Sequence, residues 1–310
     1  MTTVDIAQGK YLVTGATGRT GSHVVRKLVN AGALVRALVH STAPDDLPKE
    51  GVEYVQGDYE DLDSLKAAAE GVDYVIATVG AQSAIRGIDK IEKVEYQGSV
   101  NMADAAKAQG VKHMTMISVR AASKEWSFYP VYPARARSED HLIESGVPYT
   151  ILRPGGIIDT TGAMFKGMAK RVAEGEKFRI YGNAGQPTVF IFLDELADFC
   201  INAHLDRRTR NKIFELGGPV SPTRAEFWDY LGSVVGQEPN VQFMDPDEVV
   251  PLREAAENAE DWPKAHQLAR EEVAGRFTSP APDMRIYDRL FGVKQRDFKL
   301  WLLGVLRDGA

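Results

Sequence analysis

Residues 11–21, with the sequence Tyr-Leu-Val-Thr-Gly-Ala-Thr-Gly-Arg-Thr-Gly, constrain the fold of this chain more than any other stretch. The largely apolar residues 11–13 predict a buried strand, and residues 22–29 predict a helix with one apolar face. Between them, Gly15, Gly18 and Gly21 predict a tight turn. A strand, a glycine-rich turn and a helix in this order are the setting in which many proteins bind a dinucleotide.

Each glycine of this turn has a physical reason to lack a side chain. Gly15 would let the chain turn sharply, Gly18 would let the backbone approach a pyrophosphate, and Gly21 would let the helix pack closely on the strand. The N–H groups at the start of the helix would then face the phosphates. The spacing is GxxGxxG rather than GxGxxG, and the alternative is a glycine-rich turn without a ligand. The flanking strand and helix favour nucleotide binding.

The composition argues against several classes of function. With 310 residues, 44% of them hydrophobic and 26% charged, the chain is expected to form a sizeable core. A formal net charge of −6 argues against a nucleic-acid partner. A single cysteine cannot form an internal disulfide, which is compatible with a cytoplasmic location. We expect neither a signal peptide nor a membrane span, because no suitable apolar stretch occurs.

Strands and helices alternate through the first half of the chain. After the first strand and helix, the apolar pattern predicts further strands at residues 33–40, 52–56, 72–78, 111–118 and 148–153, with helices at 62–70, 91–109 and 133–145. This alternation predicts an α/β fold with a doubly wound parallel Rossmann sheet.

The alternation ends near residue 156. In the second half, the sequence predicts helices at residues 164–174, 193–204 and 222–235 and strands at 178–181, 188–192 and 212–216. We expect residues 1–156 to form a cofactor-binding Rossmann domain and residues 157–310 to form a smaller, mostly helical substrate-binding part. Residues 186–218 are expected to return to the Rossmann domain. Since ligands bind at the carboxyl ends of parallel strands, the C-terminal part should cover those ends and shape a pocket.

The end of the second strand bears on the choice of cofactor. NAD sites usually have an acidic residue there, which binds the ribose 2′-hydroxyl, but this chain has His40 and Ser41. Arg19 lies in the glycine turn, near the position of a 2′-phosphate. These residues favour NADP(H) over NAD. The alternative is that His40 is a plain loop residue.

Other strand ends supply further candidate binding residues. Asp58 could bind an adenine amine or cap its own turn, and Thr78, Val79 and Gly80 could line the adenosine ribose. Ser118, at the end of the fifth strand, could face the nicotinamide and bind a substrate oxygen, or cap the strand.

Five motifs together resemble the atypical short-chain dehydrogenase/reductases: TGATGRTG at 14–21, GD at 57–58, TVG at 78–80, SED at 138–140 and SGVPYTILRPGG at 145–156. The similar branch is the NmrA-like and NAD(P)H-binding group, which includes isoflavone-reductase-like and biliverdin/flavin-reductase-like proteins. The resemblance covers about residues 10–160. It implies that the pyrophosphate binds at Gly15, Thr17, Gly18, Arg19, Thr20 and Gly21. It also implies that His40 takes the place of a basic residue holding the 2′-phosphate, and that the turn beginning at Pro154 passes the nicotinamide carboxamide.

The chain differs from the resembled family at the catalytic tyrosine and lysine. Members with a Tyr-xxx-Lys motif use the tyrosine as acid and base, but here Arg135 takes the lysine position and Val131 the tyrosine position. Tyr132 is one residue away. Arginine can bind a ribose hydroxyl, but it does not readily release a proton. This favours direct hydride transfer to a conjugated acceptor such as an enone, a quinone or a flavin-like molecule, with the proton coming from Tyr132, Ser118 or water.

Two functions therefore stay open. The first is an NADPH-dependent reductase acting on a small-molecule substrate. The second is a non-catalytic NADP(H)-binding redox sensor or assembly factor of the NmrA type, with a homodimer or a protein partner. A nucleotide-sugar epimerase is a weaker third hypothesis, since such enzymes normally keep the tyrosine and lysine. The histidines show no HxxxH or HExxH spacing, so we expect no metal site.

Overall fold

The computed structural model describes residues 6–41, 44–80 and 87–307. The chain divides into two compact units. The first comprises Met1–Pro154, Leu193–Leu216 and Ile286–Val293, and the second comprises Gly155–Phe192, Gly217–Arg285 and Lys294–Ala310.

The first unit is built on a seven-stranded sheet in which every pairing is parallel. Its strands are β1 (Lys10–Thr14), β2 (Leu34–Val39), β3 (Val52–Gln56), β4 (Tyr74–Ala77), β5 (His113–Ile117), β6 (Tyr149–Pro154) and β10 (Lys212–Leu216). Their order is β10-β6-β5-β4-β1-β2-β3. The order changes direction between β1 and β4, which makes this the switch point of a doubly wound sheet. The expected α/β Rossmann fold is confirmed.

The strands of this sheet are joined by helices. They are α1 (Arg19–Asn30), α2 (Leu62–Ala69), the short turn α3 (Ile88–Lys90), α4 (Ser99–Ala108), α5 (Val131–Ser145) and α7 (Leu193–Asn202). Tyr11, Leu12 and Val13 of β1 are completely buried, as are Val24 and Leu28 of α1. Each such aliphatic side chain contributes roughly 1.5–3 kcal/mol when it leaves water, so β1 and α1 form the centre of the core.

The helix expected at 91–109 has a different form. A π-helical segment, Ile91–Gly98, precedes α4. A side chain at Gly98 would overlap the ring of Tyr59, so this position packs directly on an aromatic side chain. The wider π turn carries Glu95, which is completely buried. Apolar periodicity does not distinguish an α-helix from a π-helical segment, and the prediction missed it.

The second unit contains two small parallel sheets and most of the C-terminal helices. The sheets pair β7 (Gly156–Ile158) with β9 (Phe190–Phe192) and β8 (Lys177–Tyr181) with β11 (Asn240–Met244). The helices are α6 (Ala163–Ala173), α8 (Arg224–Val235), α9 (Val250–Asn258), α10 (Trp262–Arg276) and α12 (Phe298–Arg307). The helix α11 (Met284–Phe291) belongs to the first unit from Ile286 onward. An aromatic cluster that includes Phe165, Phe190, Phe227 and Phe298 fills the core of the second unit.

Two details of the second unit differ from the expected pattern. The sequence predicts a helix beginning at Pro222, but α8 begins at Arg224, because Thr223 caps it and Glu226 completes a capping box. Strands β7 and β11 were not predicted. β7 has only three residues, and β11 has no fully buried residue, so neither strand carries a clear apolar signal.

Histidine and tyrosine side chains cluster inside the first unit. The Tyr11 hydroxyl lies 3.0 Å from His204 Nε2, and the ring of Tyr74 lies 4.0 Å from the ring of His204. His113 Nε2 lies 3.0 Å from the Thr150 hydroxyl. Burial lowers the pKa of His113 to about 3 and that of His204 to about 4, because desolvation penalises the charged imidazolium. Both histidines are therefore neutral in the folded protein near neutral pH.

The free energy of unfolding should fall as the pH is lowered. Because both pKa values are lower in the folded state, the unfolded chain binds more protons at acidic pH, and stability is lost as the pH falls below about 6.5. Between about pH 7.5 and pH 5.0, each histidine should account for roughly 2 kcal/mol. Urea denaturation followed by circular dichroism at both pH values measures the loss.

Matched variants separate these histidines from other titrating groups. His113→Leu should remove the roughly 2 kcal/mol of pH dependence expected from His113. Replacing a side chain that does not titrate, such as the exposed Ser41, should leave the pH dependence unchanged. An identical pH dependence in the wild type and in His113→Leu would contradict a buried neutral His113.

Candidate functional site

The glycine turn after β1 has the geometry of a phosphate-binding loop. Gly15 has a positive φ of 69°, which a side chain would make unfavourable, and its carbonyl accepts a hydrogen bond from Gly18 N–H at 2.9 Å. Gly18 is the N-cap of α1, and Thr17, Gly18 and Arg19 are exposed while Thr20 is half-buried. The first N–H groups of α1 are thus presented at an accessible helix terminus, where an anion is stabilised.

Close packing holds this turn in place. A Cβ on Gly21 would overlap the Gly15 carbonyl oxygen and lie 2.7 Å from its carbon. A Cβ on Gly15 would lie 2.8 Å from Thr78 Oγ1. The Thr78 hydroxyl donates to the carbonyls of Thr14 at 2.8 Å and Gly15 at 3.3 Å. The residue after β4 therefore fastens the turn after β1, and the arrangement fits a dinucleotide pyrophosphate.

The ends of β2 and β3 present exposed polar groups. His40 and Ser41 follow β2 and are exposed, and the His40 carbonyl accepts a hydrogen bond from Gln56 Nε2 at 3.2 Å. Asp58 follows β3, and its Oδ1 accepts the Glu60 N–H at 2.9 Å. Asp58 thus makes the local turn contact that was the alternative to adenine binding.

Arg135 is bound to the protein itself. Its Nη2 donates to the Val79 carbonyl at 2.7 Å, its Nη1 donates to the Ile117 carbonyl at 3.3 Å, and its guanidinium forms an ion pair with Glu95. The side chains of Arg135 and Glu95 are 4% and 0% exposed. A Cβ on Gly80 would lie 2.6 Å from Arg135 Nη2, so Gly80 makes room for the guanidinium. Arg135 therefore joins the ends of β4 and β5.

Ser118 also has a buried charged partner. Its backbone N–H donates to the Leu152 carbonyl at 2.8 Å, and its hydroxyl donates to Glu139 Oε1. Arg153 Nε donates to both oxygens of Glu139, at 3.0 and 3.2 Å. Burial is the largest single influence and opposes the charged form of Arg153, but the hydrogen bond to Glu139 and the negative charges of Glu139, Glu215 and Asp140 together raise the pKa of Arg153.

The other two candidate residues lie in buried positions. Tyr132 is the second residue of α5 and is 7% exposed. It precedes Arg135 by three residues, so the two share one side of α5. Pro154 ends β6, where it pairs with Leu216 of β10 and is buried.

Sequence reasoning missed three charged residues of this site. Glu139 and Arg153 lie inside the motifs SED and SGVPYTILRPGG, so the motifs contained the residues but not their pairing. Glu95 lies in the π-helical segment and carried no signal.

Other kinds of site receive no support in the part of the chain that the structure describes. No group of three or more His, Cys, Asp or Glu side chains could hold a metal ion there. Cys200 is completely buried, and burial raises the pKa of its thiol. Within residues 6–41, 44–80 and 87–307, no helix is long and apolar enough to cross a membrane.

A parallel sheet with a glycine turn at its switch point defines a Rossmann-type dinucleotide-binding protein. The chain belongs to the NAD(P)H-binding family, whose model matches residues 15–180, more than half of the 310 residues. The expected family and the expected nicotinamide cofactor are thereby confirmed.

Curated relatives have different kinds of name. Photosystem II assembly factor Ycf39 of Trieres chinensis is 26% identical over 233 residues, which is 74% of this chain and 70% of the factor. Sanguinarine reductase of Eschscholzia californica is 26% identical over 66% of this chain and 88% of the reductase. Protein TIC 62 of Pisum sativum is 31% identical over 49% of this chain, but the match spans only 33% of TIC 62.

Solved structures share the fold over nearly the whole chain. The NADPH-dependent quinone oxidoreductase QOR2 of Escherichia coli, complexed with NADPH, has a TM-score of 0.73 at 20% identity, covering 97% of this chain and 100% of that one. Triphenylmethane reductase of Citrobacter sp. has a TM-score of 0.73 at 22% identity, covering 96% and 99%. A nucleoside-diphosphate-sugar epimerase of Staphylococcus aureus has a TM-score of 0.70 at 20% identity, covering 95% and 99%. The fold is therefore common to proteins named as reductases and as epimerases.

Gly21→Ala should disrupt the cofactor turn. The added methyl overlaps the Gly15 carbonyl, so the turn must move, and we expect stability to fall by roughly 2 kcal/mol or more and NADPH affinity to fall at least about tenfold. Urea denaturation and a fluorescence titration with NADPH measure the two effects.

Gly167→Ala is the matched control for this substitution. Gly167 lies inside α6, and a Cβ there meets no atom within 4 Å. This variant should be more stable by roughly 0.5–1 kcal/mol, because alanine favours a helix. Normal NADPH binding by Gly21→Ala would contradict the role given to the turn.

Proposed function

We propose that this protein is an NADPH-dependent reductase that transfers hydride to a small or medium conjugated acceptor such as an enone, a quinone or a flavin-like molecule. The observation that carries the proposal is the contact set of Arg135. At the position of the usual catalytic lysine, this guanidinium holds two strand-end carbonyls and Glu95. Chemistry that needs a tyrosine activated by a neighbouring lysine is therefore disfavoured, and hydride transfer to an already activated acceptor is favoured.

We assign the cofactor-binding residues as the sequence and the contacts suggest. The pyrophosphate binds at the turn from Gly15 to Gly21, the 2′-phosphate binds near Arg19, His40 and Ser41, and the ribose lies beside Thr78–Gly80. NADPH, when bound, supplies the hydride. Ser118, Arg135 and Pro154 form the nicotinamide side of the site, and Asp58 lies on the adenine side. Proteins named sanguinarine reductase and quinone oxidoreductase among the similar chains support a reductase.

A second candidate is a non-catalytic NADP(H)-binding sensor or assembly factor. The contacts of Arg135 with the protein also favour this second candidate, because a guanidinium does not readily transfer a proton. The similarity to a protein named as a photosystem II assembly factor also supports it. This candidate would act through a protein partner or a second copy of the chain, whereas the first needs only a small-molecule acceptor. We propose a cytoplasmic location for the first candidate, in agreement with a single cysteine that is buried.

The experiment that separates the two candidates is an acceptor screen. Purified protein is mixed with NADPH and a panel of quinones, enones and flavins, and the loss of NADPH absorbance is followed. Turnover with any acceptor supports the reductase. Tight NADPH binding without turnover on the whole panel contradicts it and favours the sensor.

Arg19→Ala should weaken NADPH binding about tenfold and leave NADH binding unchanged, because only NADPH carries the 2′-phosphate. Fluorescence titrations with both cofactors measure the ratio of affinities. Arg26→Ala is the control, since Arg26 lies on the same helix but pairs with Asp46 at 2.6 Å. Equal losses for NADPH and NADH would indicate general damage to the turn and would refute the role of Arg19.

Tyr132→Phe should keep the turnover rate within about tenfold of the wild type, a barrier change of roughly 1.4 kcal/mol. The reason is that Tyr132 has no lysine neighbour at the position that would activate it. Steady-state kinetics with the best acceptor of the panel provide the measurement. A several-hundredfold loss of the turnover number with unchanged NADPH affinity would identify Tyr132 as the acid.

A further inference from the structure

Two buried side chains and one half-buried side chain form a hydrogen-bonded chain at the carboxyl edge of the large sheet. Ser118 follows β5, Glu139 lies on α5 and Arg153 lies in β6. Ser118 donates to Glu139 Oε1, and Arg153 Nε and Nη2 donate to the same carboxylate. Ser118 and Glu139 are only 3% and 2% exposed, so little water competes for these hydrogen bonds.

Chemistry sets the direction of these hydrogen bonds. Arginine has only donors, so both oxygens of Glu139 accept from Arg153. An ionised carboxylate can only accept, so the hydrogen bond between Ser118 and Glu139 uses the serine proton. A hydroxyl has one proton, and the Ser118 oxygen is then left with lone pairs alone. Any further partner of Ser118 must donate a hydrogen bond.

We propose that Glu139 sets the hydrogen-bond polarity of Ser118, so that this position recognises an N–H or O–H group on the bound molecule. The inference rests on the proposed function, in which Ser118 lies on the nicotinamide side of the site. The donor has two chemical sources, the carboxamide NH₂ of the nicotinamide or a hydroxyl or amino group on the acceptor. A carbonyl oxygen, which only accepts, finds no donor at Ser118. Glu139 is a positioning residue, because it acts through Ser118.

Glu139→Gln gives a distinctive expectation. Arg153 Nη2 donates to Oε2, and Arg153 Nε can donate to Oε2 as well as to Oε1. The amide oxygen of the glutamine therefore takes the Oε2 position, where it keeps both donors of Arg153, and its NH₂ group takes the Oε1 position that faces Ser118. This NH₂ donates to the Ser118 oxygen, and the serine proton becomes free. The variant should therefore recognise a hydrogen-bond acceptor where the wild type recognises a donor. A residue that only supported the fold would weaken all ligands alike.

The test compares two matched pairs of ligands in binding titrations. The first pair is NADP⁺ and its acetylpyridine analogue, in which a methyl replaces the carboxamide NH₂. The second pair is an amino-naphthoquinone and the corresponding methyl-naphthoquinone, titrated with saturating NADP⁺. The wild type should bind the donor-bearing member of one pair about tenfold more tightly. The pair that shows the preference identifies the source of the donor.

The variants should change this preference in different ways. Ser118→Ala should bind both members of that pair equally, and Glu139→Gln should prefer the member without the donor. Ser145→Ala is the control. Ser145 is a buried serine at the end of α5 whose hydroxyl donates to the Leu142 carbonyl, so this variant should keep the wild-type preference. Each preference is the ratio of the affinities of one variant for the two ligands of a pair, so a general loss of affinity cancels.

Several results would overturn the inference. They are equal binding within both pairs by the wild type, a preference for the member without the donor, or a preference that persists in Ser118→Ala. If Glu139→Gln does not fold, the Ser118→Ala comparison decides alone. Binding requires no turnover, so a protein that binds the dinucleotide but reduces no acceptor fails as a reductase and still tests Ser118. A wild type that binds neither pair contradicts both proposals.

Discussion

The contact between Gly21 of α1 and the carbonyl of Gly15 is the constraint on which the cofactor end of the first unit depends. No side chain fits between them, so α1 begins directly against the turn that leaves β1. Thr78 fastens the same turn from β4 through its hydroxyl. The helix terminus, the turn and the neighbouring strand are thereby held together at the switch point, where a doubly wound sheet opens to a ligand. The accessible N-terminus of α1 is therefore held in position by the packing itself.

Buried charges organise the other half of this edge. Glu95 and Arg135 join the ends of β4 and β5, and Glu139 and Arg153 join α5 to β6. Taking these charges out of water is costly, and the cost is offset only when each is paired and hydrogen-bonded in a specific geometry. Such pairs hold strand ends in defined positions. They also engage other polar groups at these strand ends, such as the hydroxyl of Ser118.

Much of the fold could be predicted from the sequence, and part of the site could not. The central strands β1 and β4 are largely buried, so they appear in the sequence as mostly apolar runs between glycines, and family motifs lie at their ends. The π-helical segment and Glu95 were missed, because apolar spacing does not report a change in helical hydrogen bonding. The start of α8 was placed at a proline, although Thr223 and Glu226 form a recognisable cap. The ligand roles of residues such as His40 and Asp58 remain predictions.

The sequence by itself determined the glycine turn, the alternation of strands and helices, and the family. These features depend on residues close together in the chain, whose conformational and burial preferences can be recognised from the local sequence pattern. Only the tertiary structure decided the partners of the buried charges. Arg135 meets Glu95, Val79 and Ile117, and Ser118 meets Glu139, across long stretches of chain. Such pairings follow from which strand ends lie side by side in the sheet, and that order is a property of the whole packed unit.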